Sequence, residues 1–438
     1  MAIASEQHGG KRLKHSQQTT LSLSIDRLSE LPDSVLTHIL SFLKTKFSAR
    51  TSILGQRWRH LWAYVPILDF RQDNQETINS AMLLRKVQTT NFLRLYNSYY
   101  YPFEYSDRQL QTWVTFAMAR NVKRLDLFLH SINPLPRCLL TCKTLVYMRL
   151  VACGVNPSSG NVCLPSLKDL VLYCVYFESD ESLQNLLSGC PALEYLTIIL
   201  NRDMVYCNVS SPKMKRLRLE FVSNGTTCGR CDRLEINAPV LKYLKMVNSF
   251  FEHIKCGVLN SLIEADINLV NDNNKPDYLL YSRSLMEFID RLRNVKRLKL
   301  ELSYCPKIID SVVYDRTTSF CNLTRLKLTA DIRFISMFLK NAHNLEFIDL
   351  SEFGEETKGW MEKVPTCVLS HVKIIKLVNI KGKKHELGYI KYLLRNAKVL
   401  ERMEISYPGS LAWEEKIHLL HEISSFRRAS EECEVAFE

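Results

Sequence analysis

From residue 120 onward one short pattern returns again and again: apolar, two residues, apolar, one residue, apolar. It reads Val122/Leu125/Leu127, Leu145/Met148/Leu150, Leu167/Leu170/Leu172, Leu193/Leu196/Ile198, Met214/Leu217/Leu219 and Leu241/Leu244/Met246. It continues as Leu262/Ala265/Ile267, Val295/Leu298/Leu300, Leu323/Leu326/Leu328, Leu345/Ile348/Leu350, Val372/Ile375/Leu377 and Leu400/Met403/Ile405. Central positions are separated by 23, 22, 26, 21, 27, 21, 33, 28, 22, 27 and 28 residues. Alternating apolar residues make each unit a short strand with one buried face. The stretch between strands must return the chain, as Leu186-Leu187-Ser188-Gly189-Cys190-Pro191 does. One such unit cannot bury its face alone, whereas a stack shares a continuous core.

The same alternation aims a second set of side chains away from that core. Tyr147, Tyr173, Tyr195, Arg216, Arg218 and Tyr243 fall on one face of successive units, with Arg124, Asp126, Phe128, Arg149 and Lys245 beside them. Tyr and Arg are common anchors of protein interfaces, so these six residues are the candidate contacts for a protein target. Farther along, Glu264, Asp266, Arg297, Lys299, Arg325 and Lys327 make the face more basic.

The N-terminal segment Asp26 to Phe70 has a different period. Pro32 and Asp33 open a helix in which Val35, Leu36, Ile39, Leu40 and Leu43 form one wide apolar stripe. A second turn of helix covers Phe47 to Leu54, and a third carries Trp58, Leu61 and Trp62. Forty-five residues close only a small core, so part of the stripe is left for a partner.

Residues Leu31-Pro32, Ile39-Leu40-Ser41-Phe42-Leu43, Arg50-Thr51-Ser52, Arg57-Trp58-Arg59-His60-Leu61-Trp62 and Val65-Pro66 resemble an F-box. The resemblance implies docking on a Skp-family adaptor, and through it on the cullin and RING subunits of a ubiquitin ligase. The implied adaptor contacts are Leu31, Pro32, Val35, Leu36, Ile39, Leu40, Leu43 and Trp58. Plant members usually carry Pro where Lys44 stands and Ser-Lys or Cys-Lys where Gly55-Gln56 stands, which predicts a blurred break between the first two helices. The repeat intervals are close to those of leucine-rich repeats, although only Cys153 and Asn201 fit the turn position that Asn or Cys usually fills.

The C-terminal run Val364-Pro365-Thr366-Cys367-Val368-Leu369, with Tyr392 to Leu400 and Arg427-Arg428-Ala429-Ser430, resembles the FBD domain of plant F-box proteins. The expected architecture is therefore α/β: an irregular leucine-rich-repeat solenoid preceded by a small three-helix F-box. Its parts are a disordered tail over 1–25, the F-box over 26–72, and a linker and N-terminal cap over 73–120. Repeats follow over 121–363, and the FBD domain with the last repeats and a C-terminal cap over 364–438.

Composition narrows the partners. The net charge of +12 comes from 58 basic residues mixed with 46 acidic ones along the whole chain, a solvated surface rather than a nucleic-acid stripe. No apolar run reaches the ~18 residues of a membrane span, and the start MAIASEQHGGKRLKHSQQ lacks the apolar region of a signal peptide. Nucleus or cytoplasm is the expected compartment, with the 14 cysteines as free thiols. Cys228-Gly229-Arg230-Cys231 lacks a second ligand pair, so neither a metal nor any other cofactor is expected. No phosphate-cradling loop or nucleophile elbow occurs, and the expected role is a non-catalytic receptor. The alternative is a repeat scaffold or sensor with a degenerate F-box and no part in ubiquitin transfer.

Overall fold

The computed structural model describes residues 27–97, 105–157, 162–200, 204–221, 231–249, 251–269, 278–302, 318–330, 332–351 and 363–437. The tail expected over 1–25, the run Tyr99 to Phe103, Asn201 and Cys228 lie outside them.

The repeated pattern becomes one mixed α/β assembly around a 16-stranded sheet whose paired strands are all parallel. Its first members are β1 (Ile67–Arg71), β2 (Phe92–Tyr96), β3 (Arg124–Pro134), β4 (Tyr147–Val155) and β5 (Asp169–Tyr173), with β6 (Tyr176–Phe177) paired beside β4. Then come β7 (Tyr195–Leu200), β9 (Arg216–Phe221), β11 (Tyr243–Ser249), β13 (Glu264–Leu269) and β14 (Arg297–Glu301). The path closes with β15 (Arg325–Thr329), β16 (Phe347–Ser351), β17 (Ile374–Val378), β18 (Arg402–Ile405) and β19 (Glu434–Phe437). Apart from β6, each strand of this sheet lies beside its predecessor in the chain order of the sheet, as expected when every unit covers the apolar face of the last.

The residue before each strand carries the stacking. Val146 N–H donates to Lys123 O, Lys168 to Val146, Glu194 to Lys168, Lys215 to Glu194, and the series runs on to Glu401 donating to Lys373. The central apolar positions face the return segments and are buried throughout: Leu125, Met148, Leu170, Leu217 and Ile375 are fully enclosed. Returns include the helices Glu181–Ser188, Tyr278–Arg291, Ile332–Asn341 and Lys384–Asn396.

Two features depart from the expected layout. The array begins at Ile67, because β1 and β2 already belong to the sheet, whereas repeats were expected from 121. Phe92-Leu93-Arg94-Leu95 hides a strand whose apolar positions lack the first member of the recurring triplet. In three consecutive units the returns are strands rather than helices: β8 (Met204–Ser210), β10 (Cys231–Asn237) and β12 (Phe251–Cys256) form a separate three-stranded parallel sheet. Their alternating burial, with Cys207, Val209, Leu234 and Ile236 inward, gives the period-two pattern that excludes a helix.

The F-box segment also differs in detail. Helices Asp33–Leu40 and Thr45–Arg50 are followed by 3-10 turns at Thr51–Ile53 and Leu61–Tyr64. The third helix expected through Trp58 is thus a series of turns. Pro66 favours the extended Val65 (φ −67°, ψ 122°), and Gly55 interrupts the chain upstream, which leaves too few residues to nucleate an α-helix. The break between the first two helices is sharp despite Lys44. That residue sits at φ −58°, ψ 147°, values that a proline would also adopt, and its ammonium lies 5.9 Å from the Phe47 ring centroid.

Candidate protein-interaction surfaces

Two surfaces carry the sequence candidates, and the first is the F-box. Leu36, Leu40, Trp58, Leu61 and Val65 pack on one another as its private core. Three of the expected adaptor contacts, Leu36, Leu40 and Trp58, are therefore interior groups, because forty-odd residues need them to hold together at all. What remains outside is the other edge of the stripe. Val35, Ile39 and Leu43 are exposed one turn apart, joined by Phe42, Phe47, Ile53 and Leu54. The last four were not among the adaptor contacts expected from the sequence; an apolar residue at a helix end gives no sign of which side it faces.

Leu31 is half-buried and Pro32 exposed, and the Arg57-Trp58 pair holds the residues around Pro32. The Arg57 guanidinium donates to Asp33 Oδ1 at 2.8 and 2.9 Å and to the carbonyls of Ser29 and Leu31. The Trp58 indole donates to Ser29 Oγ at 2.9 Å. The basic-aromatic block thus fixes the entry to the first helix.

Arg85 ties this small domain to the array. Its guanidinium donates at 2.7 Å to each of the carbonyls of Trp62, Val65 and Ile67, and so joins the last 3-10 turn of the F-box to the start of β1. Burial pushes its pKa down to about 10, so it is still a cation at neutral pH. Thr45 Oγ1 accepts from Asp69 N–H at 2.8 Å, which covers the free edge of β1 with the second F-box helix.

The second surface is the open face of the large sheet, where in-register pairing aligns side chains in rows. The first row contains Phe92, Arg124, Tyr147, Asp169, Tyr195, Arg216 and Tyr243, then Glu264, Arg297, Arg325 and Phe347. Four of the six candidates, Tyr147, Tyr195, Arg216 and Tyr243, share it. Arg218 stands in the second row and Tyr173 in the third. Tyr173 and Tyr195 are 37% and 39% exposed, which fits side chains directed at solvent. Burial raises the Tyr147 hydroxyl pKa above the usual tyrosine value, with Asp126 adding to the shift.

The rows differ in charge chemistry. The second row neutralises itself: Asp69 binds Arg71 (2.8 Å) and Arg94 (3.3 Å), and Asp126 binds Arg94 (2.9 Å) and Arg149 (3.4 Å). Lys245 and Lys299 share Asp266, Lys327 binds Asp349, and Lys376 binds Glu404. Arg218 turns along its own strand to Glu220, with Nε to Oε2 at 3.1 Å. In the first row three of the cations stack on aromatic rings instead. Arg124 lies 5.3 and 5.2 Å from the Phe92 and Tyr147 ring centroids, Arg216 4.8 Å from Tyr243, and Arg325 4.6 Å from Phe347.

Several buried cysteines are interior donors. Cys153 Sγ donates to Val151 O at 3.1 Å, Cys190 to Leu186 O at 3.2 Å and Cys367 to Leu339 O at 3.2 Å. Among the described residues no group of three or more metal-ligating side chains comes together, and no helix is long and apolar enough to cross a membrane.

Comparison with known proteins matches these parts one by one. A profile of the F-box domain matches residues 28–70, one of the FBD matches 361–405, and one described as the LRR repeats of FBD-associated F-box protein At5g56370 matches 110–265. The chain is 30% identical over 456 residues to the F-box/FBD/LRR-repeat protein At4g00160 of Arabidopsis thaliana, covering 94% of each. It belongs to the plant F-box/FBD/LRR family. Two further Arabidopsis thaliana members are similar: F-box/FBD/LRR-repeat protein At2g26030, 28% identical over 94% of this chain and 99% of that one, and FBD-associated F-box protein At5g60610, 29% identical over 87% and 100%. In this F-box/FBD/LRR protein the FBD match spans β17 and β18, so the named C-terminal domain is part of the same sheet. F-box domains generally bind Skp1-family adaptors, and an F-box joined to repeats suggests a substrate-adaptor role in ubiquitin ligation.

Proposed function

We propose that this protein is the non-catalytic target-recognition subunit of an F-box-type cullin-RING ubiquitin ligase. The F-box docks on a Skp-family adaptor, and the repeats form a solenoid whose open, concave face binds a target protein. The observation that carries this reading is the exposed Val35, Ile39 and Leu43 edge on a domain that has already closed its own core, braced against the array by Arg85. A rigid brace suits the task, since transfer to a tethered lysine depends on effective concentration and orientation. The reading places the protein in the nucleus or cytoplasm.

The test is co-precipitation of adaptor and cullin by the full chain and by Ile39→Asp. Ile39 is 37% exposed, so the variant folds with an unchanged melting temperature and loses at least tenfold in adaptor capture. A folded Ile39→Asp that captures adaptor as the parent does would remove the adaptor half of the proposal. Failure of the parent chain itself to capture adaptor would leave the scaffold reading.

A further inference from the structure

We propose that the open face selects an extended, acidic segment of the target, read by the three guanidiniums Arg124, Arg216 and Arg325. The proposal rests on the open face being the target surface and adds the chemical class of what binds there. Among the described residues these three are the exposed first-row arginines with no carboxylate within ion-pair distance. Arg297, in the same row, gives its guanidinium to Glu264 at 2.6 Å, and Arg402 divides its contacts between Glu404 and Glu434. Stacking on an aromatic ring orients a guanidinium while leaving its N–H edge open, and that edge fits a carboxylate in a two-point contact.

Spacing supplies the second argument. Arg124 is on β3 and Arg216 on β9, with β4, β5 and β7 between them; Arg325 is on β15, with β11, β13 and β14 between. Each interval is four strand steps, about 19 Å at 4.8 Å per step, and an extended peptide covers that in roughly six residues. The charges flanking the cations argue against a nucleic acid. Asp169 and Glu264 share the row, and in the next one Asp126, Asp266 and Asp349 neutralise the neighbouring Arg and Lys, so among the described residues no continuous cationic stripe is left for a phosphate backbone. Duplex DNA carries a charge about every 1.7 Å of axis and would set phosphates against those carboxylates. A peptide with carboxylates about six positions apart meets the arginines and clears the acids between them.

The experiment selects random 16-residue peptides displayed on phage against the full chain bound to its adaptor, or against the full chain alone if adaptor capture fails. The expected enrichment is in Asp and Glu at intervals of about six. Synthetic peptides of the enriched sequences should lose at least fivefold in affinity for Arg216→Gln and for Arg325→Gln. The charge-matched control Arg283→Gln, exposed on the helix of the opposite side, should change affinity by less than twofold. Unchanged melting temperatures show that the variants fold. Enrichment in basic or purely apolar peptides, absence of enrichment, or equal loss with Arg283→Gln overturns the proposal. Tighter, steeply salt-dependent binding of a duplex DNA probe at the same arginines overturns it in favour of nucleic acid. Loss of adaptor capture with acidic selection intact removes the ligase reading and leaves this one standing.

Discussion

Arg85 is 9% exposed and directs its charge at three backbone carbonyls rather than at a carboxylate. Hydrogen bonds from a charged donor contribute about 1.5–3 kcal/mol, and removing the donor strands buried acceptors as well. Arg85→Met should therefore lower the unfolding free energy by about 2–4 kcal/mol. Arg85→Lys should recover only part of that in a denaturant titration, because a point-like ammonium cannot span three carbonyls in the guanidinium plane. The buried thiols give a second prediction. Burial pushes Cys153, Cys190, Cys207 and Cys256 up to about 12, which removes the thiolate that alkylating reagents attack. Peptide mapping after brief iodoacetamide treatment of the native protein should find label on the exposed Cys163 and Cys321, and on those four only after denaturation. Early labelling of Cys207 or Cys256 would mean that the three-stranded sheet opens.

That small sheet raises the problem of the free edge, answered by side chains at both ends. Asp180 Oδ2 accepts from Val205 N–H (2.7 Å) and Tyr206 N–H (3.1 Å) along β8, and Ser284 Oγ accepts from Ile254 N–H (2.9 Å) along β12. Unpaired strand edges invite pairing with other chains. Asp180→Ala should cost about 1–3 kcal/mol and raise light scattering on mild heating, whereas an exposed Asp elsewhere would show neither. The large sheet makes a sharper contrast. Leu217→Ala should destabilise by about 2–5 kcal/mol through an unfilled cavity. Tyr195→Ala and Tyr173→Ala should leave the melting temperature nearly unchanged and weaken target capture; if they unfold the protein, their side chains carry packing instead. Much of this was legible in the sequence: Leu-x-x-Leu-x-Leu announces a half-buried strand, and alternation put Tyr195 and Arg216 on the same face. The strand returns were not, since Met204 to Ser210 lies between two units and reads as an ordinary connection until its neighbours pair with it. The F-box stripe was legible as apolar but not as divided, because Leu36 and Ile39 look alike until a core of five residues claims one of them. Arg218 looked like its neighbour Arg216 until Glu220, two residues on, took its charge.

Across the whole molecule the rows hold their register from β1 to β19, so each unit sees mainly the one before and the one after. Ion pairs across the second row repeat that arrangement in charge, with Glu404 held below the usual carboxylate value by Lys376 first, then Arg402. Its folded pKa is depressed, so its contribution to stability is present above the unfolded value of about 4.5 and is lost as pH falls through the folded one. The backbone bridges from Val146 to Lys123, Lys168 to Val146 and onward to Glu434 have a mechanical consequence. Because strand order follows chain order, tension applied between β1 and β19 acts across the strands and loads every interstrand interface in series, so the weakest set of hydrogen bonds gives way first and the others follow singly. Held in an optical trap by these ends, the array should lengthen in a sawtooth of small, unequal steps, and one abrupt rip would contradict this. A machine that threads the chain from its C-terminal end would meet no single large barrier, only a series of low ones, with the Arg85 brace and the F-box released last.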